Sequence, residues 1–496
     1  MNEDVITITK LNEVFLKLDL TISQAMELKG HLECYVPGYM FHPRFKNRVW
    51  SGKVSFFDVG RSILPLGLLP DFFSFCKKFG YEYVLNFDTT SLSFGMEESN
   101  LELFLKAILP SSIVARDYQQ KAIFKSLTNK RGCVVSATGS GKSLIIYSII
   151  RFLVETGMKI LLVVPNTSLV EQMYSDFKSY GWGDIYNQCS ILYSGKTPDF
   201  SKSLLISTWQ SVCKKRDDFF SKFDAFLVDE CHLAKAYSIQ TIGKKCINAQ
   251  YRLGFTGTLP TEKSDLYNIF GYLGPKIFEL KAGELIDKGV LSRITIANII
   301  AKYPDDVIQK NKRRIYDEEV NTVMEFSPRN KIFNYVFSNL PEKQNTLILC
   351  SRIEHLNSIT DYLNQTLPSK YKVFVIYGDV KPEDRENIRK SMEHCDDVVL
   401  VGTYATMSTG INIRKINNII FASSYKSKIK VLQSIGRGLR THESKDRLIL
   451  FDIVDDLRYK KRSGEYGYNH LWLHFIERMK YYKEQGFESH NISISL

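Results

Sequence analysis

A short glycine-rich segment has the residue types needed to hold a triphosphate. From Ser136 to Ser143 the chain reads Ser-Ala-Thr-Gly-Ser-Gly-Lys-Ser, between an apolar run at 133–135 and a longer one at 144–150. In a strand–loop–helix context the glycines let backbone N–H groups approach phosphates. Ser136 stands where the strict pattern has glycine. We expect a nucleotide site with these ligands: Thr138, Gly139, Ser140, Gly141, Lys142 on the β/γ oxygens and Ser143 on Mg²⁺.

A second chemical element ends another apolar run. Asp229-Glu230-Cys231-His232 follows residues 225–228, so its acids are predicted to lie at the carboxyl end of a strand. Asp229 can hold Mg²⁺, and Glu230 can accept a proton from the attacking water. A lone histidine such as His232 is more often structural, and only its place in this motif suggests a coupling role. Together the two elements predict a nucleoside triphosphate hydrolase.

Composition narrows the class of protein. The 496 residues carry a formal charge of +12, which favours a polyanionic partner such as nucleic acid but also fits simple solubility. The nine cysteines are scattered and form no C-x-x-C pair, which is typical of reduced thiols in a cytoplasmic protein and not of a disulfide framework or zinc site. We expect no signal peptide and no membrane span, and the sequence lacks G-x-S-x-G and H-E-x-x-H motifs.

The elements that must position these residues alternate in type along the chain. Short apolar runs at 134–136, 160–164, 204–207, 226–228 and 253–256 alternate with helix-like segments, and the rhythm resumes from 346. Such alternation predicts parallel sheets covered by helices. We therefore predict an α/β protein with an accessory α+β domain (1–95), a nucleotide-binding domain (96–301), a charged linker (302–320) and a second α/β domain with a C-terminal helix (321–496).

Between and beyond the two opening elements, residues 113–445 resemble superfamily-2 helicases. The first half contains Arg116-Asp117-Tyr118-Gln119, Val164-Pro165-Asn166, Ser207-Thr208-Trp209-Gln210 and Phe255-Thr256-Gly257-Thr258. The second half contains Cys350-Ser351-Arg352, Gly402-Thr403, Thr409-Gly410 and Gln433-Ser434-Ile435-Gly436-Arg437-Gly438-Leu439-Arg440. This resemblance implies two tandem RecA-like domains, ATP and Mg²⁺ as cofactors, and a nucleic-acid substrate.

The resemblance also implies roles for individual residues. Implied ATP contacts are Arg116, Tyr118 (stacking), Gln119 (adenine edge), Gly410 and Gln433. Implied coupling residues are His232, Thr256 and Thr258. Implied DNA contacts are Pro165, Asn166, Thr208, Gln210, Arg352 and Thr403. Arg437 and Arg440 would stabilise the charge that develops on the transferred phosphoryl group, an effect worth about 10³–10⁵ in rate.

The region before residue 96 contains a basic and aromatic stretch. Residues 37–57 show a strand-like alternation in which Arg44, Lys46 and Arg48 are interleaved with aromatic residues, a pattern that could grip phosphates and stack bases. The alternative is a small β-rich domain whose aromatic residues form its core, and the sequence leaves both open.

Phrases in this region and later also resemble phage recombination helicases. They include Trp50-x-Gly52, Leu64-Pro65-x-Gly67-Leu68 and Ser424-Tyr425-Lys426-Ser427-Lys428. That resemblance implies a 3′-to-5′ DNA helicase acting on D-loops, stalled forks and Holliday junctions. Single-strand-binding or recombination proteins are candidate partners; the sequence leaves the oligomeric state open, and a monomer is favoured. Alternatives are a DExH RNA helicase, a non-unwinding ATP-gated clamp or annealing factor, and the motor subunit of a nuclease complex, which no nuclease signature supports.

Overall fold

The computed structural model describes residues 5–193, 195–233, 236–378, 380–408, 413–443 and 445–496. Two units are present: residues 1–136 with 141–280 form the first, and residues 281–496 with 137–140 form the second. No helix in these described ranges is long and apolar enough to cross a membrane.

The first unit begins with a small mixed sheet. Its strands run in the order β5-β2-β1-β6, with β1 antiparallel to β2 and parallel to β6. Its elements are β1 (Ile6–Lys10), β2 (Phe15–Asp19), α1 (Ile22–His31), β3 (Glu33–Tyr35), α2 (Pro43–Lys46), β4 (Lys53–Ser55), β5 (Ile63–Pro65), α3 (Leu69–Phe79) and β6 (Tyr83–Leu85). The hydroxyl of Tyr267, outside this region, donates to Asp71 at 2.9 Å, so the small sheet is docked onto the rest of the first unit.

The stretch at 37–57 is strand only in part: β4 lies within it, but the residues before β4 do not form the strand that the alternation predicts. Pro43 begins the short helix α2, and His42 accepts a hydrogen bond at its N-terminus, because proline suits the first turn of a helix and has no N–H for a sheet. Its aromatic residues form the local core only in part. Phe56 and Phe57 are buried in that core, whereas Phe41 is 76% exposed.

The main sheet of the first unit is entirely parallel in the described chain, with strand order β13-β7-β12-β11-β8-β10-β9. Its strands are β7 (Arg131–Ser136), β8 (Ile160–Val164), β9 (Cys189–Leu192), β10 (Leu204–Thr208), β11 (Ala225–Asp229), β12 (Tyr251–Thr256) and β13 (Lys276–Leu280). Its helices are α4 (Glu98–Ile108), α5 (Asp117–Asn129), α6 (Lys142–Glu155), α7 (Thr167–Ser179), α8 (Ile185–Gln188), α9 (Trp209–Val212), α10 (Asp217–Phe220), α11 (Ala236–Lys245) and α12 (Lys263–Leu273). The central strands are buried on both faces, which explains their continuous runs of valine, isoleucine and leucine.

The second unit repeats this architecture, with the parallel order β16-β17-β15-β18-β19-β14-β22 in its described part. Its strands are β14 (Arg293–Lys302), β15 (Thr346–Cys350), β16 (Lys372–Ile376), β17 (Val398–Thr403), β18 (Asn418–Phe421), β19 (Arg447–Asp456), the hairpin β20 (Tyr459–Lys460) and β21 (Tyr466–Gly467), and β22 (Glu488–Ser495). Its helices are α13 (Ala282–Asp287), α14 (Asp305–Asn311), α15 (Tyr316–Glu325), α16 (Lys331–Ser338), α17 (Ile353–Thr366), α18 (Pro382–His394), α19 (Tyr404–Ser408), α20 (Lys428–Gly438) and α21 (His470–Glu484).

The predicted fold class is confirmed, but the predicted boundary and linker differ from the structure. Strand β14 lies between β19 and β22 in the second sheet, so the second unit begins near residue 281. The expected linker at 302–320 contains α14 and the first half of α15. Val307 of α14 and Val320 and Val323 of α15 are buried in the second core. The many charged residues on the exposed faces of these helices made the segment resemble a linker, although one face of each helix is apolar and buried.

Candidate nucleotide site and nucleic-acid surface

The phosphate loop lies at the carboxyl edge of the first sheet. It leaves β7 and enters α6 at Gly141, whose φ of +81° is in the left-handed region that glycine adopts without strain. The Lys142 ammonium that follows donates to the carbonyl of Ser136 at 3.3 Å and lies 3.9 Å from Glu230 Oε1. The loop therefore folds back over its own strand and presents its lysine to the acidic motif.

The acidic motif follows β11 at the same edge. Asp229 is buried and its Oδ1 has no hydrogen-bond partner among the described residues. Glu230 has a φ of +46°, a left-handed conformation that costs a non-glycine residue about 1–2 kcal/mol. Such strain is maintained where the surrounding structure fixes it, commonly at functional sites. Here it accompanies a carboxylate directed between Lys142 and His232, 3.3 Å from His232 Nδ1.

Burial and charge shift the acid–base properties of this group. Burial raises the pKa of Asp229 to about 7; nearby Glu230 adds to the rise and Lys142 opposes it. Burial also lowers the pKa of His232, against the attraction of Glu230, so the imidazole is neutral at physiological pH. A buried carboxyl with an unsatisfied oxygen is stabilised by a cation, which matches the chemistry expected of a metal ligand.

Ser143 has neighbours that no sequence motif indicates. Its Oγ lies 2.7 Å from the hydroxyl of Tyr180. Burial raises the pKa of nearby Asp176, and the interaction with Ser143 opposes that rise. Both neighbours come from the end of α7 or just after it, and no local motif marks them. Among the described residues no cluster of three or more Cys, His, Asp or Glu side chains could hold a metal ion. A cation here would need oxygen ligands from a bound triphosphate or water.

The segment upstream of the loop supports the loop. Gln119 Oε1 accepts from the backbone N–H of Arg116 at 2.9 Å, and its amide nitrogen lies against Gly141, where a Cβ would come within 2.4 Å. Arg116 donates to the Tyr118 hydroxyl at 3.1 Å. Tyr118 is only 3% exposed, so this geometry does not support stacking of a base on its ring. Gln119 thus connects the start of α5 to the start of α6.

Three predicted coupling residues form one hydrogen-bonded chain. Thr256 Oγ1 donates to the carbonyl of Thr258 at 2.9 Å, accepts from the Thr258 N–H at 3.2 Å, and lies 2.6 Å from His232 Nδ1. Because the single hydroxyl proton is directed to the carbonyl, Nδ1–H of His232 is the donor to Thr256. The acidic motif after β11 is therefore fixed to the end of β12.

The predicted DNA contacts of the first unit share this edge but differ in accessibility. Asn166 Oδ1 accepts from the N–H of Leu169 at 2.9 Å and caps α7, and Pro165 beside it is half-buried. Thr208 is buried, with its hydroxyl 2.9 Å from that of Ser211, whereas Gln210 is exposed. Asn166 and Thr208 therefore organise their loops, while Gln210 presents a free amide surface.

In the second unit, Arg352 follows shortly after β15, and Thr403 is the last residue of the neighbouring parallel strand β17. Arg352 donates to Asp317 at 2.7 Å and Asn321 at 2.6 Å. Thr403 is buried and accepts from the backbone N–H of Thr406 at 3.2 Å, which caps α19. Gly410 lies outside the described residues.

The candidate arginines are carried by α20 and the turn after it. Gln433 and Arg437 are four residues apart and so share one helix face; Arg440 follows the helix end. Burial, with repulsion from Arg414, lowers the pKa of Arg440. The unforeseen Lys445 donates to the carbonyls of Gly438 and Arg440, and burial lowers its pKa to about 7. Lys445 therefore fixes the end of α20, where the arginines emerge.

The candidate phosphate residues of the N-terminal region, Arg44, Lys46 and Arg48, are all exposed.

Three family models match separate parts of this chain. Residues 10–86 match the DNA helicase UvsW N-terminal family, residues 112–261 match the type III restriction enzyme res subunit family, and residues 328–442 match the helicase conserved C-terminal domain. Each contains one of the regions described above: the small sheet, the nucleotide site and the arginine helix.

Individual relatives extend over most of the chain. The ATP-dependent DNA helicase uvsW of Enterobacteria phage T4 is 30% identical over 95% of this chain and 96% of its own length. The crystal structure of T4 UvsW covers 99% of both chains at 27% identity, with a TM-score of 0.52. The DNA 3′-5′ translocase XPB2 of Sulfurisphaera tokodaii is 24% identical over 75% of this chain and 89% of its own.

Proposed function

This chain belongs to the family of the phage T4 helicase UvsW, and we propose that it is an ATP-dependent DNA helicase that unwinds and remodels branched DNA. The main support for ATP hydrolysis is that Lys142, Asp229 and Glu230 lie close together at one edge of the first sheet. These side chains provide a cation for phosphate, a buried ligand for a metal and a base for water.

In the proposed hydrolysis, the γ-phosphate of ATP takes the place of Glu230 beside the Lys142 ammonium. Backbone N–H groups of the phosphate loop (137–141) bind the remaining phosphate oxygens. Glu230 then accepts a proton from the water that attacks the γ-phosphorus, a role supported by its fixed, strained backbone.

Asp229 and Ser143 are the residues we propose to hold Mg²⁺. The unsatisfied buried Oδ1 of Asp229 fits a hard cation, and the Ser143 hydroxyl would exchange Tyr180 for it. When bound, Mg²⁺ neutralises charge on the β- and γ-phosphate oxygens.

The second unit would complete catalysis through Arg437 and Arg440, with Gln433 on the same helix face as a nucleotide contact. Arginines placed at the γ-phosphate stabilise the charge of the transition state. Lys445 would support them by holding the helix end. ATP hydrolysis would therefore need residues of both units, because the arginines lie in the second unit and Lys142 lies in the first.

We propose that the hydrogen-bonded chain His232–Thr256–Thr258 couples the nucleotide site to the DNA-binding loops at the same edge of the sheet. Pro165, Asn166, Thr208 and Gln210 in the first unit and Arg352 and Thr403 in the second are the proposed contacts. Where their side chains cap helices, the loop backbone would face the phosphates, and phosphate contacts carry no sequence information. The name of the archaeal relative, a 3′-5′ translocase, supports the same direction here.

The proposal is tested by ATP-dependent strand separation on a panel of forks, D-loops, four-way junctions, linear duplexes and RNA hybrids. We expect DNA-stimulated ATP hydrolysis, 3′-to-5′ unwinding and preference for branched DNA. Unwinding confined to RNA duplexes would instead identify an RNA helicase. Strand remodelling undiminished in Glu230→Gln would identify an ATP-gated clamp.

A further inference from the structure

A strongly basic surface of the second unit lies outside all three matched family regions. One part is the loop between α14 and α15; the other is the tip of the hairpin β20–β21. We call the six exposed basic side chains the hairpin surface: Lys312, Arg313, Arg314, Lys460, Lys461 and Arg462. None of them belongs to a motif used by the nucleotide site.

The two parts adjoin in the folded unit. The Lys312 ammonium lies 5.0 Å from the ring centroid of Tyr459, the first residue of β20. Tyr459 pairs with Gly467 across the hairpin, and a Cβ at Gly467 would lie 2.4 Å from the tyrosine ring. Only glycine therefore allows the ring to lie across the hairpin beneath Lys312. Two segments far apart in sequence thus build one surface.

The base of the hairpin is firmly held. Arg458 donates to both carboxylate oxygens of Asp456, at 2.7 and 2.8 Å. Its guanidinium also lies 3.5 Å from the ring centroid of Trp472 and 5.2 Å from that of Tyr466. Because the base of the hairpin is fixed, the basic tip is already restricted in the free protein, and less conformational entropy is lost when the tip binds a ligand.

The hairpin surface lies on the carboxyl edge of its sheet. Lys302 at the end of β14 is paired with Asp456 at the end of β19, and the loop and hairpin follow these two ends. Arg352 follows β15, another parallel strand of the same sheet, and binds Asp317 and Asn321 of α15, the helix that directly follows the loop. The surface therefore continues outward from a proposed DNA contact.

The charge of this surface is only partly compensated. Glu465 lies 3.7 Å from Lys461, and Asp456 is occupied by Arg458. Among the described residues, Arg313, Lys460 and Arg462 have no ion-pair partner. Two exposed tyrosines, Tyr466 at 49% and Tyr468 at 58%, flank these cations. Unpaired cations beside aromatic rings suit phosphates and unstacked bases.

We propose that the hairpin surface binds the phosphate backbone of a second DNA strand or arm at a branch point, one that the helicase motifs do not hold. This inference rests on the proposed function and deepens it by naming how a branch is distinguished from a single strand. A linear strand would occupy the motif loops only; a fork would also reach the hairpin.

The test compares two triple variants with equal loss of charge. Lys460→Gln, Lys461→Gln and Arg462→Gln remove the hairpin cations. The control, Lys343→Gln, Lys370→Gln and Lys372→Gln, removes three exposed lysines at the amino edge of the same sheet. Affinities for a fork and for a single strand are measured between about 50 and 200 mM salt. ATP hydrolysis stimulated by the single strand and the melting temperature are measured alongside.

The hairpin variant should bind the fork about 10–100-fold more weakly, and the slope of log K against log salt should become shallower by about 2–3, since each phosphate contact contributes about 0.9. Its single-strand affinity, single-strand-stimulated hydrolysis and melting temperature should equal those of the control. Fork binding equal to the control would overturn the inference, as would an equal loss on single strands. Absence of DNA-stimulated hydrolysis in the unmodified protein would instead refute the proposed function.

Discussion

Replacing Glu230 by glutamine separates ATP binding from ATP hydrolysis. The amide keeps the size of the side chain but cannot accept a proton from water. A positioned general base contributes about 10²–10⁴ in rate, equivalent to about 3–5 kcal/mol in the barrier. We therefore expect the rate of hydrolysis to fall at least about 100-fold.

The same change should tighten ATP binding. The Glu230 carboxylate lies 3.9 Å from the Lys142 ammonium, so it competes with the phosphates for that cation and repels them. At this distance two unit charges interact by at most about 4 kcal/mol near a protein surface, and solvent screening reduces the net effect. We expect affinity for ATP to rise about tenfold, equivalent to about 1.4 kcal/mol.

Single-turnover hydrolysis with saturating single-stranded DNA and equilibrium binding of a fluorescent ATP analogue measure the two effects. Glu155→Gln, at the far exposed end of the helix that begins with Lys142, is the matched control and should change neither. Hydrolysis by Glu230→Gln at a rate close to that of the control would refute the assignment of the base. Weakened ATP binding would refute the competition between carboxylate and phosphate.

Three further changes test other parts of the structure. His232→Ala should leave ATP hydrolysis largely intact but lower strand separation per ATP about tenfold, because Thr256 loses its hydrogen-bond donor. His232→Asn, which keeps a donor, should restore much of the strand separation per ATP. Equal values of this ratio for the two variants would contradict the coupling role. Arg252→Met should lower the free energy of unfolding by about 3–5 kcal/mol, because the buried guanidinium donates to three backbone carbonyls. Chemical denaturation measures this loss, and a value below about 1 kcal/mol would contradict the expectation. Burial and nearby Arg329 lower the pKa of His355 to about 3. Below about pH 6.5 the unfolded chain therefore binds a proton that the folded chain does not, and stability falls as the pH is lowered. His355→Asn should remove about 2 kcal/mol of the stability lost between about pH 7 and pH 5, and an unchanged pH dependence would contradict this.

The parts predicted from sequence are those determined by local pattern. Each apolar run of the first α/β repeat became a strand, because strands buried on both faces require continuous apolar residues. The acidic motif is predicted at the carboxyl end of a strand, and in the structure it follows β11, with Glu230 3.9 Å from Lys142.

The missed parts depend on contacts distant in sequence. Nothing in the sequence of β14 states which sheet it joins, since its ten residues would fit the middle of either. The partnership of Ser143 with Tyr180 likewise arises only when α6 and α7 pack together. The buried ring of Tyr118 does not support the expected stacking role, because a motif match does not encode the neighbours that cover the ring.

The position of β14 also bears on how the second unit assembles during synthesis. This is the first strand of the unit in sequence, yet its two sheet neighbours, β19 and β22, are the last long strands of the unit to be made. A nascent β14 therefore leaves the ribosome as a mostly apolar segment with both edges unpaired, a species prone to aggregation. Chaperone protection, or slow translation across the intervening strands, would then govern the yield of active protein more than the stability of the finished sheet does.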